Sequence, residues 1–198
     1  MADPRIVTTL GRRAVLTGAA AAVVAGAVPT VATGGERSER GILGQAAPEL
    51  DVPFWIDASG EPASFTLASA RGSWVFLKCF QAWCPGCHSS GFPTLKKVTD
   101  AFAEEPRVTP VGLQTVFEGF STNTQDRVRE MQLRYELPIL MGHDAGDPDG
   151  IHLPVTMVNY RTGGTPWIIV INPQGLVVYN NFHIDAAKLI EYLKAQLV

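Results

Sequence analysis

The sequence is short of cysteine, of charge and of long apolar runs. Three cysteines in 198 residues are too few for the disulfide framework of a small secreted domain. Lys and Arg number 16 against 19 Asp and Glu, a net charge of −3. With both signs scattered, there is no basic stripe for nucleic acid and no footprint for an anionic membrane. Charged residues make up 18% and hydrophobic ones 46%, which excludes global disorder and leaves a sizeable core to bury. His88, His143, His152 and His183 show no paired spacing. Zinc takes about four ligands and one C-x-x-C supplies two, so no metal is expected. No repeat is present.

The apolar run from Gly18 to Val28 is rich in Ala and Gly and is followed by Pro29. It falls short of the roughly 20 residues that a bilayer span needs. Its context is Arg12-Arg13 and then Ala14-Val15-Leu16, which resembles a twin-arginine export signal. Gly11 stands where Ser or Thr usually precedes the arginines. Ala25-Gly26-Ala27 or Thr30-Val31-Ala32 offers small residues for cleavage. Residues 1–33 therefore read as a signal peptide, 34–46 as a flexible linker and 47–198 as one folded domain. An exported, periplasmic or extracellular protein is expected, in a compartment that favours disulfide chemistry. No stable membrane span remains once the signal is removed, and the expected state is a monomer.

Within the domain, Phe65–Leu67 reads as a short strand and Ser73–Phe80 as a buried one. A helix is expected over about 85–104, with Leu95, Val98 and Phe102 on one face. Val108–Val116 reads as the next strand and 123–135 as an amphipathic helix through Val128, Met131 and Tyr135. Trp167–Ile171 and Leu176–Tyr179 form a hairpin across Asn172-Pro173-Gln174-Gly175, with Gly175 free to take positive φ. A last helix begins at an Asp185 cap and buries Ala186, Leu189, Ile190, Leu193 and Leu197. This order implies an α/β fold, a central mixed sheet with helices on both faces. Residues 138–159 give no clear pattern.

The chemistry sits in Trp83-Cys84-Pro85-Gly86-Cys87, which leaves a buried strand and opens a helix. Free N–H groups and the positive end of the helix dipole favour thiolate at the first cysteine. Pro85 at the start of the first turn costs little, because its missing N–H would have no intrahelical partner. Cys87 lies one turn on along the same face, within reach of a disulfide. Cys84 is then the attacking sulfur and Cys87 the resolving one. The redox-active pair itself would serve, with no other cofactor.

The run Val75–Cys87 (VFLKCFQAWCPGC) resembles the active-site strand and turn of thioredoxin-like proteins, in particular the exported thiol–disulfide oxidoreductases and the thiol-specific antioxidant (redoxin) branch. Ala47-Pro48-Glu49-Leu50 is similar to that branch's entry segment, Gly164-Thr165-Pro166-Trp167 to its cis-proline loop, and Ile171–Tyr179 to its final hairpin. The resemblance covers about residues 46–198. It implies a thioredoxin-like fold, a cis Pro166 packed on the cysteine pair, and a Thr165 backbone that pairs with an incoming substrate strand. It implies protein thiols and disulfides as partners and a role in cell redox homeostasis. Lys78 occupies the place where thioredoxins often bury a proton-relaying acid. A buried ammonium there stabilises thiolate but does not serve as a base in the same way; alternatively, Lys78 snorkels at the strand end. Ser90 replaces a glutamate common in exported reductases, and Pro93 falls about one residue late.

Other readings follow from the same letters. Cys84-Pro85-Gly86-Cys87-His88 is a C-x-x-C-H haem-attachment signature, set here among strand signals rather than helices. A copper chaperone would use the two thiols with a distant His183. A thiol peroxidase would want Ser or Thr three residues before its cysteine, and before Cys87 that place is Cys84. A non-enzymatic binding module would not need the cysteines, Trp83 and the Thr-Pro loop together. Cys79, on the face opposite Lys78, reads as a small buried hydrophobe. Trp83 covers the cysteine pair or belongs to the core. Asp144, Asp147 and Asp149 suggest turn chemistry more than a cation loop.

Overall fold

The computed structural model describes residues 40–198. The twin-arginine pattern, the apolar run and the first part of the expected linker lie outside the described residues. Arg40–Ala46, expected as linker, are instead part of the fold. Ile42 is buried, the Gly44 N–H donates to Val177 O at 2.8 Å, and Ala46 bridges Leu176. The apolar Ile42 gives this segment something to bury, which a polar reading of its neighbours hid.

The chain then runs through β1 (Phe54–Ile56), β2 (Pro62–Ala63) and β3 (Trp74–Phe80). A π-helical turn over Cys87–Gly91 leads into α1 (Phe92–Ala101). There follow β4 (Val108–Val116), α2 (Asp126–Arg134), β5 (Leu140–Ala145), α3 (Val155–Asn159), β6 (Trp167–Ile171), β7 (Val177–Asn181) and α4 (Ala186–Gln196). The seven strands form one sheet in the order β2-β1-β5-β4-β3-β6-β7. β3, β4 and β5 are parallel, and the pairs at either side are antiparallel.

All seven residues of β3 are buried, as a central strand covered on both faces requires. Its alternation divides the core in two. Phe76 and Phe80 join Leu95 and Val98 of α1, Val128 and Met131 of α2, and Leu189 and Leu193 of α4. Val75, Leu77 and Cys79 face Leu50, Leu67, Val111, Leu113 and Tyr160. The expected helices on both faces are thus unevenly shared. The three longer ones cover one face, while irregular chain and the residue after α3 cover much of the other.

Phe65–Leu67 is not a strand. The Glu49 carboxylate accepts from Leu67 N–H at 2.7 Å and Ala68 N–H at 3.3 Å, and the Thr66 carbonyl accepts from Ser69. A side chain has taken the place of a strand partner. The helix expected over 85–104 also changes character. Five residues wind as a π turn before α1 begins, and Pro93 sits in α1's first turn, where it removes no needed donor. A π turn takes up one extra residue in a helix, which accounts for a proline one position late. The segment 138–159 resolves into β5 and α3. Asp144 at the end of β5 accepts from Val155 N–H at 3.0 Å and Thr156 N–H at 2.8 Å, capping α3 from a distance in sequence. At the last helix, Asp185 accepts from Ala187 and Lys188 N–H as expected.

Candidate active site

The site lies where β3 ends. Beyond Phe80 the backbone is pinned by a residue from another loop: Asn123 Oδ1 accepts from Ala82 N–H at 2.7 Å. Its Nδ2 donates to Glu118 O and Gly119 O at 3.2 and 3.0 Å. Asn123 thus spends its side chain on the site, and α2 begins three residues later than its periodicity suggests. Gln114 Nε2 donates to the same Asn123 oxygen at 3.4 Å, and His143 Nδ1 lies 2.9 Å from Gln114 Oε1. A buried polar chain therefore runs from β5 across β4 to the turn.

Trp83 is 44% exposed and so belongs to the rim rather than the core. Its indole lies close enough to Gly119 that a Cβ there would stand 3.1 Å from Nε1. Cys84 follows, with its carbonyl accepting from Cys87 N–H at 3.0 Å and His88 N–H at 3.2 Å, so it starts the helical winding. The Cys87 N–H also lies 3.3 Å from Cys84 Sγ. Across the groove the Thr165-Pro166 peptide is cis, and the Cys84 thiol donates to Thr165 O at 3.6 Å. A Cβ on Gly86 would stand 3.2 Å from Pro166 Cδ. Pro85 is exposed in the first turn, clear of that contact.

The two cysteines, both thiols here, differ in environment. Cys84 retains 7% of its surface and Cys87 retains none. Burial pushes the Cys87 thiol up to about 12, and its hydrogen bond with Cys84 adds to the effect. Lys78 lies on the same face of β3 as Phe76 and Phe80 and is 2% exposed. It does not snorkel. Its Cε would lie 3.0 Å and its Nζ 3.6 Å from a Cβ on Gly91, with Pro166 Cβ at 3.2 Å from the same point. The lysine therefore lies under the π turn, beside the proline loop. Burial lowers its pKa from 10.5 to about 8, with Cys87, Cys79 and Cys84 the charges that partly oppose the shift.

The structure thus brings Cys84, Cys87, Gly86, Lys78, Thr165 and Pro166 together and sets Trp83 at the edge. Sequence reading missed Asn123, Gln114 and Gly91. His88, read there within a haem signature, is half-buried. Its Nε2 donates to Ala82 O at 2.6 Å, which leaves Nδ1 to accept from the Tyr135 hydroxyl at 2.5 Å. Phe92 stacks on Tyr135 at 4.2 Å. With both ring nitrogens bonded, His88 braces the turn and offers no lone pair to a metal. His183 Nδ1 and Nε2 make no bond to the cysteines, and no cluster of three or more metal-ligating side chains occurs among the described residues. Asp144 caps α3, Asp149 accepts from Ile151 N–H at 3.0 Å, and Asp147 pairs with His152, so these aspartates carry out turn and capping chemistry.

A family model described as AhpC/TSA family matches residues 43–180. The chain belongs to the AhpC/TSA family. Among solved structures, a thioredoxin-like superfamily protein is 32% identical, with 77% of this chain and 95% of that one covered and a TM-score of 0.66. A thiol-disulfide isomerase from Corynebacterium glutamicum is 28% identical, covering 75% and 95%, with a TM-score of 0.64. A thioredoxin-family thiol:disulfide interchange protein from Chlorobium tepidum, at 22% identity, shares the fold over 79% and 99% with a TM-score of 0.56. No curated protein matches. This member of the AhpC/TSA family therefore has the thioredoxin-like α/β fold of the redoxin branch, in the company of thiol–disulfide oxidoreductases.

Proposed function

We propose that the protein exchanges dithiol and disulfide with protein substrates outside the cytoplasm, through Cys84 and Cys87. One observation carries the reading: the outer sulfur, Cys84, lies between the N–H of Cys87 and the Thr165-Pro166 loop, while Cys87 is sealed behind it. In the reductive direction, a substrate strand pairs with the Thr165 backbone. The Cys84 thiolate attacks one substrate sulfur, the substrate S–S bond breaks, and the first substrate thiolate leaves. Cys87 then attacks Cys84 Sγ, closes the Cys84–Cys87 disulfide and releases the second thiolate. The oxidative direction is the reverse. The leader-like residues 1–33 support an extracytoplasmic setting, where such partners occur.

Insulin-disulfide reduction tests this. Cys84→Ser is expected to abolish turnover, and Cys87→Ser to accumulate mixed disulfides with partners, visible as bands that a reductant removes. Full activity in both variants would sink the mechanism. Peroxide consumption measured beside it separates a thiol peroxidase: the position three residues before Cys87 holds a thiol, not the hydroxyl that such chemistry uses, so insulin turnover is expected to exceed peroxide turnover.

A further inference from the structure

Two buried groups beneath the π turn are each costly where they stand. Lys78 is a cation with 2% exposure, and it makes no hydrogen bond or ion pair with another side chain among the described residues. Cys87 is a thiol with no exposure that must ionise to act as a nucleophile. Hydrogen bonds involving Gln81 and Thr165 partly offset the burial of Cys87, but neither is a base that takes its proton. Cys84 from the turn and Cys79 from β3 itself are the other ionisable groups acting on Lys78. The elements packed around it are uncharged there: Gly112 on β4 and Ile168 on β6 flank it in register, and Phe92 and Leu95 of α1 line the same cluster. Gly91 matters to the placement. With no side chain there, the lysine stem lies against the helix backbone, under the cysteine turn and next to Pro166.

We propose that Lys78 takes the proton of Cys87 in the resolving step and holds the resulting thiolate as an internal ion pair. This deepens the oxidoreductase reading and rests on it. The step begins from a mixed disulfide between Cys84 and a substrate sulfur. The Cys87 S–H proton passes to the neutral Lys78 amine, which becomes an ammonium. The Cys87 electron pair attacks Cys84 Sγ and forms the Cys84–Cys87 bond. The bond from Cys84 to the substrate breaks, and its electron pair leaves on the substrate sulfur. The ammonium afterwards gives its proton to that thiolate or to solvent. No further oxidant is needed, because the substrate disulfide is the one reduced. An exposed lysine could not serve, being an ammonium throughout the neutral range. Burial brings the free amine into reach near pH 8, while burial, the largest influence on the thiol it serves, pushes that thiol up and keeps it protonated.

The experiment uses the reduced full chain and an aromatic bis(nitrobenzoate) disulfide, each half of which absorbs when released as thiolate. In rapid mixing, the first release reports attack by Cys84 and the second reports resolution by Cys87. The rate of the second release is expected to rise with pH and level off above about 8, following Lys78. In Lys78→Met and Lys78→Gln it is expected to lose that inflection and to fall by ~100-fold or more near neutral pH, the scale of a lost general base. A lysine that only fills space would leave the inflection in place in Lys78→Met, and that result overturns the proposal. Should neither variant fold, the wild-type profile decides alone: a second release that climbs without inflection between about pH 7 and 9 also overturns it. Absence of the first release removes the reading of Cys84, and this inference with it; a normal first release with an unchanged second removes only the role of Lys78.

Discussion

Lys78 and Cys79 are neighbours on one strand, both ionisable and both buried, yet they face different halves of the core. Cys79 packs among Leu50, Leu77, Leu113 and Tyr160. Burial pushes its thiol up to about 12, and the Thr115 hydrogen bond offsets only part of this. Neither Cys84 nor Cys87 belongs to that cluster. Lys78 points the other way, beneath the turn that carries Cys84 and Cys87. Burial perturbs both groups comparably, so perturbation alone does not mark function. What separates them is the surface each shares: a dry wall for one, and a pair of sulfurs with an outlet at Cys84 for the other.

The largest effect that would sharpen this contrast is on stability, and its sign is fixed by the direction of the lysine shift. Lys78 titrates near 10.5 when unfolded and about 8 when folded. Between those values the unfolded chain binds more protons, so the stability of the native state rises with pH across that window. Below about 8 the full cost of burying the ammonium is present, on the order of 3 kcal/mol. Lys78→Met, similar in length and uncharged, is expected to raise the urea midpoint at neutral pH, and the gain should shrink as pH climbs towards 10.5. A variant less stable than wild type at neutral pH would mean that the ammonium is stabilised by something that its neighbours do not reveal. A gain in stability together with a slower resolving step in Lys78→Met would be stability given up for activity in the wild type.

A second, smaller effect concerns the space that lets the lysine lie where it does. Ala usually stabilises a helix relative to Gly by up to about 1 kcal/mol. At Gly91 the opposite is expected, because a methyl would meet Lys78 Cε at 3.0 Å and Pro166 Cβ at 3.2 Å. Overpacking of that kind costs ~1–3 kcal/mol. Thermal unfolding of Gly91→Ala should show the loss, and combining it with Lys78→Ala should recover part of it. Additive losses would mean that the two residues do not share the space.

Much of this was legible in the letters. The buried run Trp74–Phe80, the strand Val108–Val116 and the hairpin at Gly175 (φ +78°) stood where their patterns put them, because hydrophobic period and turn chemistry are local. The cysteine turn was legible for the same reason. What was hidden depends on partners far along the chain. Glu49 converts Phe65–Leu67 from a strand into a loop across 18 residues, and Asn123 reaches back 41 residues to hold Ala82. Neither leaves a spacing signal. Asp144 was visible as part of an acidic loop, but its partner helix was not, since α3 has five residues and is too short to show a period. His88 shows in the sequence only as the last letter of C-x-x-C-H, and its partners, a tyrosine and a backbone carbonyl, leave no spacing signal.

The smallest effect tests the dry side of the comparison. Cys79 pairs with Leu113 on β4 and Trp167 on β6, and it belongs to the cluster opposite the one that holds Cys84 and Cys87. Replacing it by alanine removes one sulfur from a packed wall, which should cost ~1 kcal/mol of stability through lost contacts. Insulin reduction by Cys79→Ala is expected to stay within about twofold of wild type, and the pH at which the second thiolate release levels off should move little, since Cys79 is a minor influence on Lys78 beside burial. A large fall in turnover with the fold intact would place a third sulfur in the exchange path and erase the distinction between the two faces of β3. A shifted inflection with turnover preserved would say something narrower: that charge on one face of a strand is felt by the amine on the other, through a backbone only one residue long.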